Sequence, residues 1–218
     1  EHDGPPSADE YAKMLSALVP RMRAASPSWA LRLIVVGTTN EAWNRPWMRA
    51  VGAYTFAASL HNGYMNEPAR PFVAADVSAC AQRPRGSWRD GVVALGQQFD
   101  KLAREVGLNT SVRISADEWG LGPPWTVGFA PWKRNFSVVH AMYAAGLLGA
   151  SLRDGDGGSG LALTNYFEPV NEGAVRVGPF AAALSPVGQV MPFYAAHSGG
   201  RRLAVPAALG DLDVVATM

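Results

Sequence analysis

Apolar and polar positions along this chain recur in two periods that alternate from segment to segment. From Tyr11 to Ala25 the apolar residues Tyr11, Leu15, Leu18 and Val19 fall on one helix face, entered through a Pro-rich turn. Ser7 and Glu10 there have the spacing of a capping box. Leu31–Gly37 reads as a buried strand, Trp43–Val51 as a short helix and Tyr54–His61 as a second strand. The Asn-, Pro- and Gly-rich stretch from Asn62 to about Pro71 predicts a loop, with irregular structure continuing to Arg85. Ser87 is expected to cap a helix running to Val106, with Val92, Leu95, Phe99, Leu102 and Val106 on one face. A third strand spans Ser111 to Glu118 and breaks into Gly120-Leu-Gly-Pro-Pro-Trp125. Asn135 to Ala150 reads as helix and Leu161–Phe167 as the fourth strand. Beyond lie a turn-rich loop to Gly173, extended pieces at Ala174–Val177 and Ala181–Leu184, a short helix over Val190–His197 and a strand over Gly199–Val205.

Four strands each paired with a helix, with no hairpin signal between them, predict an α/β architecture with a parallel sheet. Four βα units are half of a (β/α)8 TIM barrel, and we expect roughly its second half, strands 5 to 8. A doubly wound open sheet would need a Gly-rich phosphate loop directly after a strand. Gly155-Asp-Gly157-Gly-Ser-Gly160 instead follows a helix and precedes a strand, so it reads as a helix stop and turn. Asp154 and Asp156 imitate the start of a calcium loop, but Gly158 takes a ligand position and the twelfth position lacks Glu. We expect no metal and no cofactor.

Composition narrows the partners. With 48% hydrophobic and 17% charged residues in 218, the chain can bury a core. Its formal net charge of +1 and scattered Lys and Arg give no basic stripe for nucleic acid, and the cluster Arg83, Arg85 and Arg89 reads as a solvated loop and helix start. No apolar run reaches the ~18 residues of a membrane span; the nearest is the interrupted stretch Val138 to Ala150. The lone Cys80 excludes an internal disulfide and leaves the compartment, cytoplasmic or secreted, open. The chain starts with neither Met nor a signal peptide, and the strand that should precede its first helix is missing. We therefore expect a fragment cut at or just before a functional position; homo-oligomerisation of the full-length protein is left open.

The candidate chemistry centres on carboxylates. Glu118 ends a strand, where a barrel carries its catalytic groups; the competing reading is that Asp117-Glu118 solvates the start of a surface loop. Glu1, a few residues upstream of the first helix, falls where a βα loop would hold the end of the preceding strand. Retaining glycoside hydrolysis needs two such groups ~5 Å apart. A serine or cysteine nucleophile is not supported, because Gly-x-Ser-x-Gly is absent and Cys80 has no recognisable partner. His61 at a strand end reads either as a site residue or as a satisfied core histidine. Tyr64 and Asn66 read as site or loop residues, and His140 as structural. Glu168 and Glu172 could border a cleft, but Pro169 and Gly173 favour turns. Trp119, Trp125 and Trp132 cluster around Glu118 and offer either sugar-stacking faces or core.

Asp117-Glu-Trp-Gly120 ending a strand, Ser59-Leu-His61 ending an earlier one, and a leading Glu1 followed by Asp-Gly and a helix resemble the second half of a family 51 α-L-arabinofuranosidase. That family belongs to the glycosidase clan with catalytic glutamates on barrel strands four and seven. The resemblance runs from Glu1 to about Gly200. It implies Glu118 as nucleophile, Glu1 as acid/base and His61 as the histidine that orients glutamates and sugar. It further implies Tyr64 as the tyrosine bonded to the nucleophile, although Tyr64 follows the histidine by three residues where the family has two. Gln189 matches a glutamine that reaches the sugar, and Trp119 and Trp125 are assigned to substrate. Gly120 stands where the family has Asn. The resemblance implies barrel over residues 1–198 and the beginning of an appended β-sandwich over 199–218. The implied activity is retaining hydrolysis of α-L-arabinofuranosides or related plant polysaccharide glycosides, with an oligo- or polysaccharide as partner and the fragment alone inactive. The alternatives are a catalytically silent carbohydrate-binding barrel and a related clan glycosidase acting on β-xylosides or β-glucans.

Overall fold

A computed structural model describes residues 6–28, 30–61, 63–66, 72–122, 137–154, 160–166, 170, 174–196, 202–203 and 216–217. Its elements run α1 (Ala8–Ala25), β1 (Leu33–Val36), α2 (Glu41–Val51), β2 (Thr55–Ser59), β3 (Gly63–Asn66), α3 (Ala74–Gln82), α4 (Arg89–Glu105) and β4 (Arg113–Gly122). Then come α5 (Val138–Asp154), β5 (Leu161–Tyr166), β6 (Val175–Val177), β7 (Ala182–Leu184), α6 (Pro186–Ala195), β8 (Arg202–Leu203) and β9 (Ala216–Thr217). They gather into two units. The first takes Glu1–Leu60, Val92–Ser115 and Gly158–Leu163; the second takes His61–Gly91, Ala116–Gly157 and Thr164–Met218.

In the first unit both halves of the capping box form at α1: the Ser7 hydroxyl accepts from the Glu10 amide at 3.3 Å, and the Glu10 carboxylate accepts from the Ser7 amide at 2.7 Å. The Ser7 amide and hydroxyl both donate to that carboxylate and hold it below its ordinary pKa. β1 pairs in parallel with β2, and β2 with the start of β4 from Ala57↔Arg113 to Ser59↔Ser115. On β4 the Ile114 amide also donates to Gly160 O at 2.6 Å, at the entry to β5. Helix α4 lays Val92, Leu95, Phe99 and Leu102 into the core as its periodicity predicts, and Phe99 meets Trp47 edge-on at 6.3 Å. Arg45 pairs with Glu41 within α2 and ties α2 to α4 through Glu105, and its guanidinium holds the Glu105 carboxyl below its ordinary pKa. Gly107, at φ +79°, turns the chain out of α4, a conformation costly for side-chain-bearing residues. The strand over Leu31–Gly37 was expected to be buried, but β1 buries Leu33 and Val35 while Ile34 and Val36 are about half exposed, 47% and 51%. An unbroken apolar run cannot distinguish one-face from two-face burial.

In the second unit β3 runs parallel to the rest of β4, from Gly63↔Trp119 to Asn66↔Gly122. β6 and β7 form an antiparallel pair, as do β8 and β9. Three expectations are corrected here. The predicted loop and irregular stretch from 62 to 85 contain β3 and α3. Gly-Tyr-Met-Asn carries no alternating pattern and is a strand through its pairing with β4. Helix α3 starts at Val73 rather than a hydroxyl or Asx cap, with the Asp76 carboxylate accepting the Val73 amide at 2.9 Å. Ser87 does not cap α4, because it lies inside a π turn over Pro84–Trp88, and α4 begins after it at Arg89. β4 does not end at Glu118; pairing with β3 carries it through Gly120 to Gly122.

Candidate active site

β4 carries adjacent carboxylates into the open: the side chains of Asp117 and Glu118 are 26% and 23% exposed between buried Ala116 and Trp119. Counting back from the Gly63↔Trp119 pair puts His61 level with Asp117, one residue from Glu118. The imidazole uses that position. His61 Nδ1 lies 2.5 Å from Glu118 Oε2, and Nε2 lies 3.9 Å from Asp117 Oδ1. The histidine side chain is itself 55% exposed, so its contact with Glu118 is local and directional rather than a consequence of burial.

Side chains level with one another on paired strands share a face, and successive residues alternate. Tyr64 is level with Gly120, so it stands on the Glu118 face of the β3–β4 pair, and Gly120 adds no side chain there. Met65 points to the other face, its sulfur 3.9 Å from the buried Cys80 Sγ. Trp119 also points to that other face. It is 0% exposed, meets Tyr166 edge-on at 5.1 Å, and lies against Gly63 so closely that a Cβ on Gly63 would collide with Trp119 Cβ. A ring with no exposed face offers a sugar no stacking surface. The structure places the Trp119 ring in the core of the second unit.

Two donors bind the backbone of β3. The Tyr143 hydroxyl donates to Gly63 O at 2.7 Å, and Arg83 Nη2 donates to Tyr64 O at 2.6 Å. Neither was singled out for the site by sequence reasoning: Arg83 was read within a solvated cluster, yet it is only partly exposed and reaches back 19 residues. Burial pushes the Tyr143 phenol up to about 12, with Arg83 opposing the shift and Cys80 adding to it. Because the folded value lies above the ordinary tyrosine value of 10.0, this contribution to stability is present below about pH 10 and is lost as pH rises through about 12. Melting temperature measured from pH 9 to 12 should fall more steeply in the wild-type protein than in Tyr143→Phe.

No protein-family model matches the chain, and no curated protein sequence matches it. Solved structures do. The α-L-arabinofuranosidase of Thermotoga maritima, crystallised with arabinose, aligns over 92% of this chain and 38% of its own, with a TM-score of 0.71 and 21% identity. A family 51 α-L-arabinofuranosidase of Bifidobacterium longum aligns over 94% and 45%, with a TM-score of 0.72 and 13% identity. The thermostable GH51 enzyme of Thermotoga petrophila gives 92% and 40%, 0.67 and 20%. The chain has the fold of part of a family 51 α-L-arabinofuranosidase.

The chain spans less than half the length of these neighbours, and its parallel β/α repeats form the α/β barrel fragment that the order of elements predicts. Within the family 51 fold, the structure brings together His61, Asp117 and Glu118, with Tyr64 on the Glu118 face. Gln189 lies on α6. It is exposed in the first turn, with its amide nitrogen 3.5 Å from Leu184 O. Glu1, Trp125, Trp132, Glu168, Glu172 and the glycine run 155–159 lie outside the described residues. His140 is buried, its Nδ1 receiving the Ser137 amide at 3.2 Å at the start of α5, which accords with a structural histidine. Among the described residues no group of three or more His, Cys, Asp or Glu could hold a metal, and no helix is long and apolar enough to cross a membrane.

Proposed function

We propose that the protein is a retaining glycoside hydrolase acting on α-L-arabinofuranosides or related plant polysaccharide glycosides. The observation that carries the reading is the Glu118 carboxylate, partly open and held at 2.5 Å by His61 on a strand of a family 51 fold. Glu118 attacks the anomeric carbon while Glu1 gives its proton to the leaving oxygen, so one C–O bond forms as the glycosidic C–O bond breaks. Glu1, now a carboxylate, then takes a proton from water; the water oxygen attacks the same carbon, and Glu118 leaves as a carboxylate. His61 binds Glu118 through Nδ1 and limits its rotation. Tyr64 contributes a hydroxyl on the same face, and Gln189 and Trp125 are kept as sugar contacts. Residues 1–198 are proposed as barrel and 199–218 as the beginning of a β-sandwich.

A panel of nitrophenyl glycosides tests this on the full-length protein. Release of nitrophenol from the α-L-arabinofuranoside is expected, with the β-xyloside and β-glucoside turned over at least about 100-fold more slowly. A shift in melting temperature with arabinose-containing oligosaccharides but no nitrophenol from any member would instead establish the silent carbohydrate-binding barrel. Preferential turnover of the β-xyloside or β-glucoside would keep the enzyme and replace the sugar.

A further inference from the structure

We propose that Arg83 and Tyr143 are positioning residues, which clamp the backbone of β3 and thereby set His61 and Tyr64 against Glu118. The inference rests on the glycosidase reading of Glu118 and extends it to residues that touch no sugar. Both donors reach main-chain oxygens within three residues of His61: Tyr143 takes Gly63 O at 2.7 Å, and Arg83 takes Tyr64 O at 2.6 Å. They come from separate parts of the chain, Arg83 from the end of α3 and Tyr143 from α5. β3 itself is four residues long, Gly-Tyr-Met-Asn, without the β-branched residues that favour strands.

Gly63 completes the clamp. Its missing Cβ lets the strand close on Trp119, the residue after Glu118, with Leu147 of α5 3.4 Å from where that Cβ would stand. A displacement of β3 would therefore move His61 and Tyr64 relative to Glu118. Buried Arg83 Nε has no hydrogen-bond partner among the described residues, which leaves that N–H unsatisfied at a cost to stability, while Nη2 of the same group donates to Tyr64 O. An apolar residue at 83 would avoid that cost but leave the carbonyl unbound. The arrangement fits a demand for placement more closely than a demand for stability.

The test uses the full-length protein and two readouts. Arg83→Ala and Tyr143→Phe are expected to lower kcat by about 10- to 100-fold with KM within about 3-fold, because misplacement by a fraction of an ångström to 1 Å acts on the chemical step. Arg83→Lys, which keeps a donor, should recover part of the loss. In a His61→Ala, Tyr64→Phe background the Arg83→Ala effect should shrink to less than about 3-fold, since the groups it positions are gone. Full additivity in that background, or wild-type kcat in both single variants, would overturn the clamp.

The second readout is independent of turnover. In histidine-labelled protein the Nδ1 proton of His61 bonded to Glu118 should give a downfield NMR resonance that Arg83→Ala and Tyr143→Phe weaken or lose and Arg83→Lys restores. An unchanged resonance in correctly folded variants would overturn the clamp even if the protein hydrolyses nothing. Failure of the glycoside panel with a resonance that responds would sink the glycosidase reading and leave the clamp standing.

Discussion

Glu118→Ala in the full-length protein should lower hydrolysis of nitrophenyl α-L-arabinofuranoside by at least about 10⁴-fold, because it removes the group proposed to bond the anomeric carbon. Stability should change little. The Glu118 side chain is 23% exposed, and its described partner, His61, is more than half exposed, so the lost pairing is worth at most about 1 kcal/mol. Asp117 provides the control. It lies next to Glu118 and 3.9 Å from the same imidazole, so removing any nearby negative charge would affect both positions alike. Asp117→Ala should keep far more activity than Glu118→Ala. Equal losses at the two positions would mean that the charge, rather than a nucleophile, is what the site requires.

Trp119→Ala should destabilise the protein by about 3–5 kcal/mol, the usual range for truncating a large buried aromatic ring. Its ring is fully buried with Tyr166 edge-on against it, and its Cβ closes on Gly63, beside which Leu147 of α5 also lies. Urea or thermal unfolding measures the loss directly. A sugar platform would behave in the opposite way, with KM raised and stability preserved. The result therefore decides between the two readings of a tryptophan that follows a candidate nucleophile, and a stable Trp119→Ala protein with weakened substrate binding would establish the sugar platform.

The order of the βα units was legible in the sequence because the helix and strand periods stand out over α1, α2, α4 and β4, even where the end signals of α4 and β4 misled. The face of α4 is an example: Val92, Leu95, Phe99 and Leu102 recur at helix spacing, and all four are buried. β3 was illegible for the converse reason. Gly63 and Asn66 are turn-formers, and the strand exists because a glycine fits against Trp119, a long-range fact that no local pattern encodes. α3 was hidden by a valine at its cap, and the turn over Pro84–Trp88 carried the chain past Ser87 before α4 began.

The candidate site was legible where chemistry is concentrated in a short motif. Asp117, Glu118 and His61 stand at or beside strand positions, and their proximity follows from the register of two strands whose existence was only half foreseen. Trp119 follows Glu118 and turns to the buried face of β4, a placement set by its packing against Tyr166 and Gly63 that no local pattern shows. Arg83 and Tyr143 carry no local signature at all, since both act on main-chain carbonyls of a segment far along the chain.

Azide rescue of Glu118→Ala with nitrophenyl α-L-arabinofuranoside tests most directly whether Glu118 is the nucleophile. Azide can enter the space left by the carboxylate and attack the anomeric carbon, forming a C–N bond as the C–O bond to nitrophenolate breaks. The rate should recover with added azide and the product should be a glycosyl azide of inverted, β configuration, because attack comes from the face that Glu118 occupied. A variant that hydrolyses at the wild-type rate without azide, or a rescued product of retained configuration, would contradict that role.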